Sequence, residues 1–81
     1  MAMSREERGD ATVAGSASTV AVTFTNAFKA ATTPDVGIRN MPRNVSWWLT
    51  SISNTGFTLN LGSAAGTAGE TWRYIATGVD Q

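Results

Sequence analysis

From Thr19 to Phe24 the chain alternates, with Val20, Val22 and Phe24 set against Thr19, Ala21 and Thr23, the period of a strand with one face buried and one wet. Thr33-Pro34-Asp35 reads as a turn feeding a second alternation, Val36 and Ile38. Met41-Pro42-Arg43-Asn44 ends it, because proline cannot donate to a central ladder. The pattern strengthens in the second half. VSWWLTSIS passes through Asn54-Thr55-Gly56 into FTLNLG, and the chain closes on WRYIATG. Two strands joined by a short polar turn, with a third returning at the end, describe an antiparallel β domain. With Ala11–Ala14 as a short first strand, the pattern predicts six strands, at about 11–15, 19–25, 35–40, 45–53, 56–62 and 70–77. No window holds a helical period. Six short strands with regular turn signals point to an all-β sandwich or small barrel. Its predicted core is Val20, Val22, Phe24, Phe28, Phe57, Leu59, Trp72 and Tyr74.

Two places resist a simple two-layer reading. Neighbouring strand residues point to opposite faces, so Trp47 and Trp48 cannot both lie in one core. A regular four-residue turn over Ser53–Gly56 pairs Ile52 with Phe57 and places Trp48 inward. A β-bulge near Ser51 reverses this, leaving Trp48 outward and Trp47 with Leu49 in the core. The closing strand carries Trp72, Tyr74 and Ala76 on one parity and Arg73, Ile75 and Thr77 on the other. Apolar matter on both faces implies a second covering, most simply another protomer.

The remaining segments differ in texture. Ser4–Asp10 carries Arg5, Glu6, Glu7, Arg8 and Asp10 with no apolar face, and residues 1–10 read as a flexible charged lead-in to a single domain over 11–81. Gly62, Gly66 and Gly69 alternate with Ser, Ala and Thr in a loop without large side chains, expected to be flexible. No P-loop lysine follows it. Gly56, before Phe57, is expected to supply a positive backbone angle at the hairpin turn.

Composition narrows the function classes. The 81 residues make one domain, and a chain this short buries only about 60% of its unfolded surface, so oligomerisation is an expected source of stability. Cysteine is absent, which removes disulfides and thiolate metal sites. Histidine is absent too, which removes the commonest general base and zinc ligand. Carboxylates are scattered, lysine occurs only at Lys29, and no calcium-loop motif is present. No catalytic residue, metal site or cofactor is expected. Six basic and six acidic residues cancel, without the excess that nucleic-acid binding draws on. No run has the length of a membrane span, and the first residues lack the apolar core of a signal peptide, so the expected place of synthesis is the cytosol.

The order of short phrases then resembles a known family. Thr19-Val-Ala-Val-Thr-Phe24, Phe28, Pro34-Asp-Val36, Ile52-Ser-Asn-Thr-Gly-Phe57-Thr-Leu and Trp72-Arg-Tyr-Ile-Ala76-Thr-Gly78 follow one another as in the small β-sandwich of H-type lectins and phage tail fibre ends. The resemblance covers about residues 11 to 78. It implies a six-stranded antiparallel β-sandwich assembling as a parallel homotrimer, with sugars bound at clefts between protomers. The departures matter as much. Tyr74 stands where the family closes with tryptophan. The arginine that the lectins carry before the turn falls on Trp48, which would place Trp48 outward at the cleft. The tryptophan and histidine of the lectins' last loop have no counterpart in Gly62–Gly69, and their early aspartate falls near Val13. Specificity for N-acetylgalactosamine is therefore not carried over. What the resemblance implies is a phage or prophage tail domain, located in the virion, that recognises bacterial surface polysaccharide. Trp48 would be its stacking platform, Arg39, Arg43 and Arg73 its hydrogen-bond donors and Asp35 an acceptor. The alternative is a structural trimerisation cap without a ligand.

Overall fold

The computed structural model describes residues 3–81; the first two residues of the charged lead-in lie outside it. The chain forms six strands: β1 Ser4–Val13, β2 Thr19–Thr23, β3 Asp35–Asn40, β4 Trp47–Thr50, β5 Gly56–Leu61 and β6 Glu70–Val79. They make two antiparallel three-stranded sheets, one ordered β1-β6-β3 and the other β2-β5-β4. Every connection except β4 to β5 crosses from one sheet to the other, so both sheets depend on pairings distant in sequence. The inner faces meet in one core. Ala11, Val13, Trp72, Tyr74 and Ala76 come from the first sheet and Phe57, Leu59 and Leu61 from the second, with Phe24 and Phe28 closing one end. Four of these rings touch: Phe24 meets Phe28 edge-on at 5.3 Å and Phe57 meets Tyr74 at 5.0 Å between centroids, with Phe24 against both Phe57 and Tyr74. Such pairs contribute about 0.5–1.5 kcal/mol each beyond the area they bury. Six of the eight predicted core residues are buried, and Val20 and Val22 pack against the core half-buried.

The charged segment is a strand, which corrects its reading as a mobile lead-in. β1 pairs with β6 along its whole length, from Ser4 with Val79 to Val13 with Glu70. Its odd residues face the core and its even residues face water, so two charged side chains, Arg5 and Glu7, point inward. They are tolerated because each is satisfied there. Glu7, only 9% exposed, accepts hydrogen bonds from the backbone amides of Thr25 (2.8 Å) and Asn26 (3.3 Å) and from Arg5 Nη1 (2.9 Å). Arg5 also donates to Asp80 Oδ1 and to the carbonyls of Asn26 and Ala27, and its guanidinium lies 4.2 Å from the centre of the Phe28 ring. The result is a polar plug at one end of an apolar core, fixed by the β2–β3 loop. No buried side-chain polar atom among the described residues lacks a partner.

Gly56 and Gly9 are among the glycines that occupy close approaches. A Cβ at Gly56 would lie 2.0 Å from the Val22 carbonyl oxygen, so the expected positive φ is not what selects glycine there. At Gly9 a Cβ would lie 2.6 Å from the Tyr74 hydroxyl; glycine gives the tyrosine ring its room between the sheets. The loop of small residues after β5 is pinned. Ala65 is buried and donates its amide to Ala17 O, Ser16 donates to Gly66 O, and Arg43 holds the carbonyls of Ser63 and Ala64. The expected flexibility does not hold for a loop with this many ties.

Candidate functional site

The hairpin resolves the paired tryptophans. β4 pairs Trp47 with Leu61, Trp48 with Asn60, Leu49 with Leu59 and Thr50 with Thr58. Leu59 and Leu61 are core residues, so Trp47 and Leu49 pack inward and Trp48 faces out. The turn is longer than a regular four-residue loop, because Ser51 leaves the ladder with φ 55° and breaks the parity that would have turned Trp48 inward. Trp48 is 50% exposed, one of three large apolar side chains left in water with Met3 and Met41.

The neighbours of Trp48 follow from register. Asn60 stands beside it with Thr19 on the far side, and the next row is Thr50, Thr58 and Ala21. Asn60 Nδ2 donates to Thr50 Oγ1 at 3.0 Å and to the Trp48 carbonyl at 3.3 Å, which fixes the amide against the sheet. The outer face of β2-β5-β4 is therefore one large ring amid short hydroxyl and amide side chains, with no charged group along these strands.

The other predicted ligand residues do not join this face. Arg73 and Asp35 lie on the outer face of the opposite sheet. Asp35 pairs with Thr77, four positions along β6 from Arg73 and so roughly 13 Å away. Arg39 sits at a register shift between Ile38 and Asn40 on the same sheet and lines an open groove of about 320 Å³ with Arg8, Gly9, Asp10, Arg73 and Tyr74. Arg43 is already occupied. Its Nε contacts both oxygens of Glu70 at 2.8 and 3.0 Å, and its terminal nitrogens reach Ser63 Oγ, Ser63 O and Ala64 O. It is a clamp between β6 and the β5–β6 loop. Glu70 also accepts from the Trp72 indole, and the Arg43 guanidinium holds its carboxyl below the ordinary carboxylate value despite partial burial. Burial raises the Tyr74 phenol above its ordinary value, and the charges of Glu7 and Asp10 add to this.

Within one chain, then, the structure separates the platform Trp48 from Arg39, Arg73 and Asp35 by the thickness of the sandwich. Arg8 and Asp10, assigned from sequence to a lead-in, belong to the groove of Arg39 and Arg73. No alternation in REERGD signals them, since both parities are charged; their even positions face water only because the segment pairs along β6. Asn60 and the threonines around Trp48 were legible, as the outward parity of FTLNL and TVAVT. Among the described residues no three carboxylates cluster in a way that could hold a metal ion, and no helix is long and apolar enough to cross a membrane. Comparison with family models, curated proteins and solved structures returned no match.

Proposed function

We propose that the chain is a carbohydrate-binding β-sandwich of the phage or prophage tail-fibre type, which assembles as a homotrimer and attaches a virion to host surface polysaccharide. The observation that carries this reading is the outward, half-exposed Trp48 on the edge strand β4, beside Asn60 on an uncharged face with threonines. An indole offers a flat apolar surface to the C–H face of a pyranose, and adjacent amide and hydroxyl groups fix the sugar hydroxyls. The ordered family phrases from Thr19 to Gly78 support the tail-fibre context and the trimer. One open platform of this kind binds weakly, with Kd on the order of 1 mM. Three on one particle, engaging a repeating polymer together, raise the effective affinity by about 10²–10⁴ without any new contact.

The test is binding of labelled protein to an array of bacterial polysaccharides and simple glycans, with mass measured by light scattering in the same buffer. The expected result is a particle of about 25 kDa, three times the 8.5 kDa chain, with saturable binding that Trp48→Ala abolishes while the mass stays unchanged. A trimer that binds no glycan would replace this reading with a structural trimerisation cap, and a monomer would remove the avidity mechanism. Loss of assembly in Trp48→Ala would make that ring an interface residue.

A further inference from the structure

The groove on the opposite face has a different chemistry from the Trp48 platform. Its rim carries three guanidinium groups, Arg8, Arg39 and Arg73, and one carboxylate, Asp10, around the paired Gly9 and Tyr74. These charges are incompletely neutralised. Arg73 approaches Asp10 only to 3.8 Å, with both side chains more than half exposed, and Arg8 is drawn toward Glu6 at 2.8 Å. Arg39 makes no ion pair among the described residues. The break in register between β3 and β6 falls at Arg39, where an extra residue leaves the ladder, a device that re-aims a side chain. In a chain whose formal charge is zero, three arginines set against Asp10 and the Arg8-paired Glu6 leave a local positive site centred on Arg39 and Arg73.

We propose that this groove binds the oxyanion of an acidic polysaccharide, a carboxylate or a phosphodiester, through Arg39 and Arg73 with Arg8 at its edge. Guanidinium suits this work because its planar fork meets two oxygens of a carboxylate or phosphate at once. The exposed Asp10 sets an upper limit on affinity by repelling the same anion, and it holds Arg73 near the groove when no anion is there. The site is independent of Trp48, since the two lie on opposite outer faces. A polymer of acidic pyranoses would be read by both faces, and a phosphodiester polymer without sugar rings by this groove alone.

The experiment uses the full chain and three soluble probes: polygalacturonate for carboxylates, a glycerol-phosphate polymer for phosphodiesters, and neutral dextran as control. Binding is followed by titration at low salt and at 0.5 M NaCl. Either acidic polymer is expected to bind at low salt and to be released at high salt, because exposed charges are screened within about 8 Å at physiological ionic strength. Which polymer binds more tightly names the source of the anion. Arg39→Ala, at a side chain with no ion pair to lose, is expected to weaken binding about tenfold, the scale of one charge-assisted contact. Asp10→Asn is expected to tighten it severalfold, a gain that loss of structure cannot mimic. Trp48→Ala is expected to leave binding of the glycerol-phosphate polymer unchanged, because that probe has no pyranose ring to stack on an indole, so failure here and failure of the carbohydrate platform are read separately. The proposal is overturned if neither acidic polymer binds, or if Arg39→Ala and Asp10→Asn leave the titration unmoved. It is also overturned if a DNA duplex of matched charge density binds more tightly than both polymers, which would make the groove a nucleic-acid contact.

Discussion

Glu7→Ala tests whether the charged N-terminal segment is part of the sandwich. The carboxylate is 9% exposed and accepts three hydrogen bonds, two short ones from Thr25 N and Arg5 Nη1 and a longer one from Asn26 N. A hydrogen bond to a charged group contributes about 1.5–3 kcal/mol net. Three features reduce the total. The Asn26 bond is long at 3.3 Å, Thr25 and Asn26 belong to an exposed loop where water can reach the freed amides, and Arg5 keeps Asp80 as a counter-charge. The expected loss is therefore about 2–4 kcal/mol, at or below the cost of breaking a fully buried pair. A domain of this length holds roughly 4–12 kcal/mol in all, so the variant gives up a large share of its stability. At about 4–8 °C per kcal/mol, its midpoint should fall by roughly 10–30 °C. The assay is thermal unfolding followed by circular dichroism at pH 7 and fixed chain concentration, since an oligomer's midpoint depends on concentration. Glu6→Ala is the control. Its side chain faces water and meets only the exposed Arg8, and its expected effect is within about 0.5 kcal/mol. If the two variants melt alike, the inward parity of Glu7 is wrong and the plug built on it fails.

Two pH dependences follow from the titrating groups. The Glu70 carboxyl is held below its ordinary 4.5 by Arg43, so its contribution to stability is full above that value and is lost as pH falls through the lower folded value. Glu70→Gln should show a shallower decline in thermal midpoint than the parent chain between pH 4.5 and 2, and equal slopes would remove the clamp as a source of stability. Tyr74 is the sole tyrosine of the chain, so its phenol can be titrated by ultraviolet absorbance without overlap from another tyrosine. Its folded value is raised above 10, so the folded protein should ionise later than the same chain in denaturant, and stability should fall as pH rises from about 10 toward the folded value. Superimposed folded and denatured titrations would contradict its burial.

The strands that bury apolar side chains on alternate positions were legible because the signal and the cause are the same. TVAVT, DVGIR and WRYIATG alternate because one face packs on the core. β1 was illegible for the converse reason. Its inward positions run Arg5, Glu7, Gly9, Ala11 and Val13, and only the last two are apolar, so the period of two is hidden at the end where the core gives way to an ion-paired plug. What places Arg5 and Glu7 inside is a set of partners distant in sequence: the amides of Thr25 and Asn26, the Phe28 ring and Asp80. Trp48 was left open between two parities, and one residue decided it, Ser51 with its positive φ. Arg43 shows the limit of reading a charge as a ligand. Its sequence context, between Pro42 and Asn44, carries no sign of Glu70 or Ser63, which lie more than 15 positions downstream and come to it only through the fold.

The separation of Trp48 from the arginine groove constrains any trimeric assembly. In a closed ring of identical subunits each protomer joins its neighbours through two different patches inclined toward the axis, whereas patches set back to back propagate an open chain. The two outer faces of this sandwich are back to back, because the inner parities of both sheets meet in one core. A ring therefore cannot bury both faces against neighbours, and at least one of the two chemistries stays exposed on the assembled particle. The charged face is costly to bury, since Glu6, Arg8, Asp10, Arg73 and Asp35 would each lose water, and only pairings across the interface could offset that. The uncharged face could be buried at little cost, but Trp48 would then be lost as a platform. Mass and binding measured on the same sample decide between these. If the trimer leaves Trp48 accessible to a water-soluble fluorescence quencher, the uncharged face remains free for ligand and the contacts run along the sandwich edges or through paired charges on the opposite face. If Trp48 is shielded, the arginine groove is the face that meets the polymer.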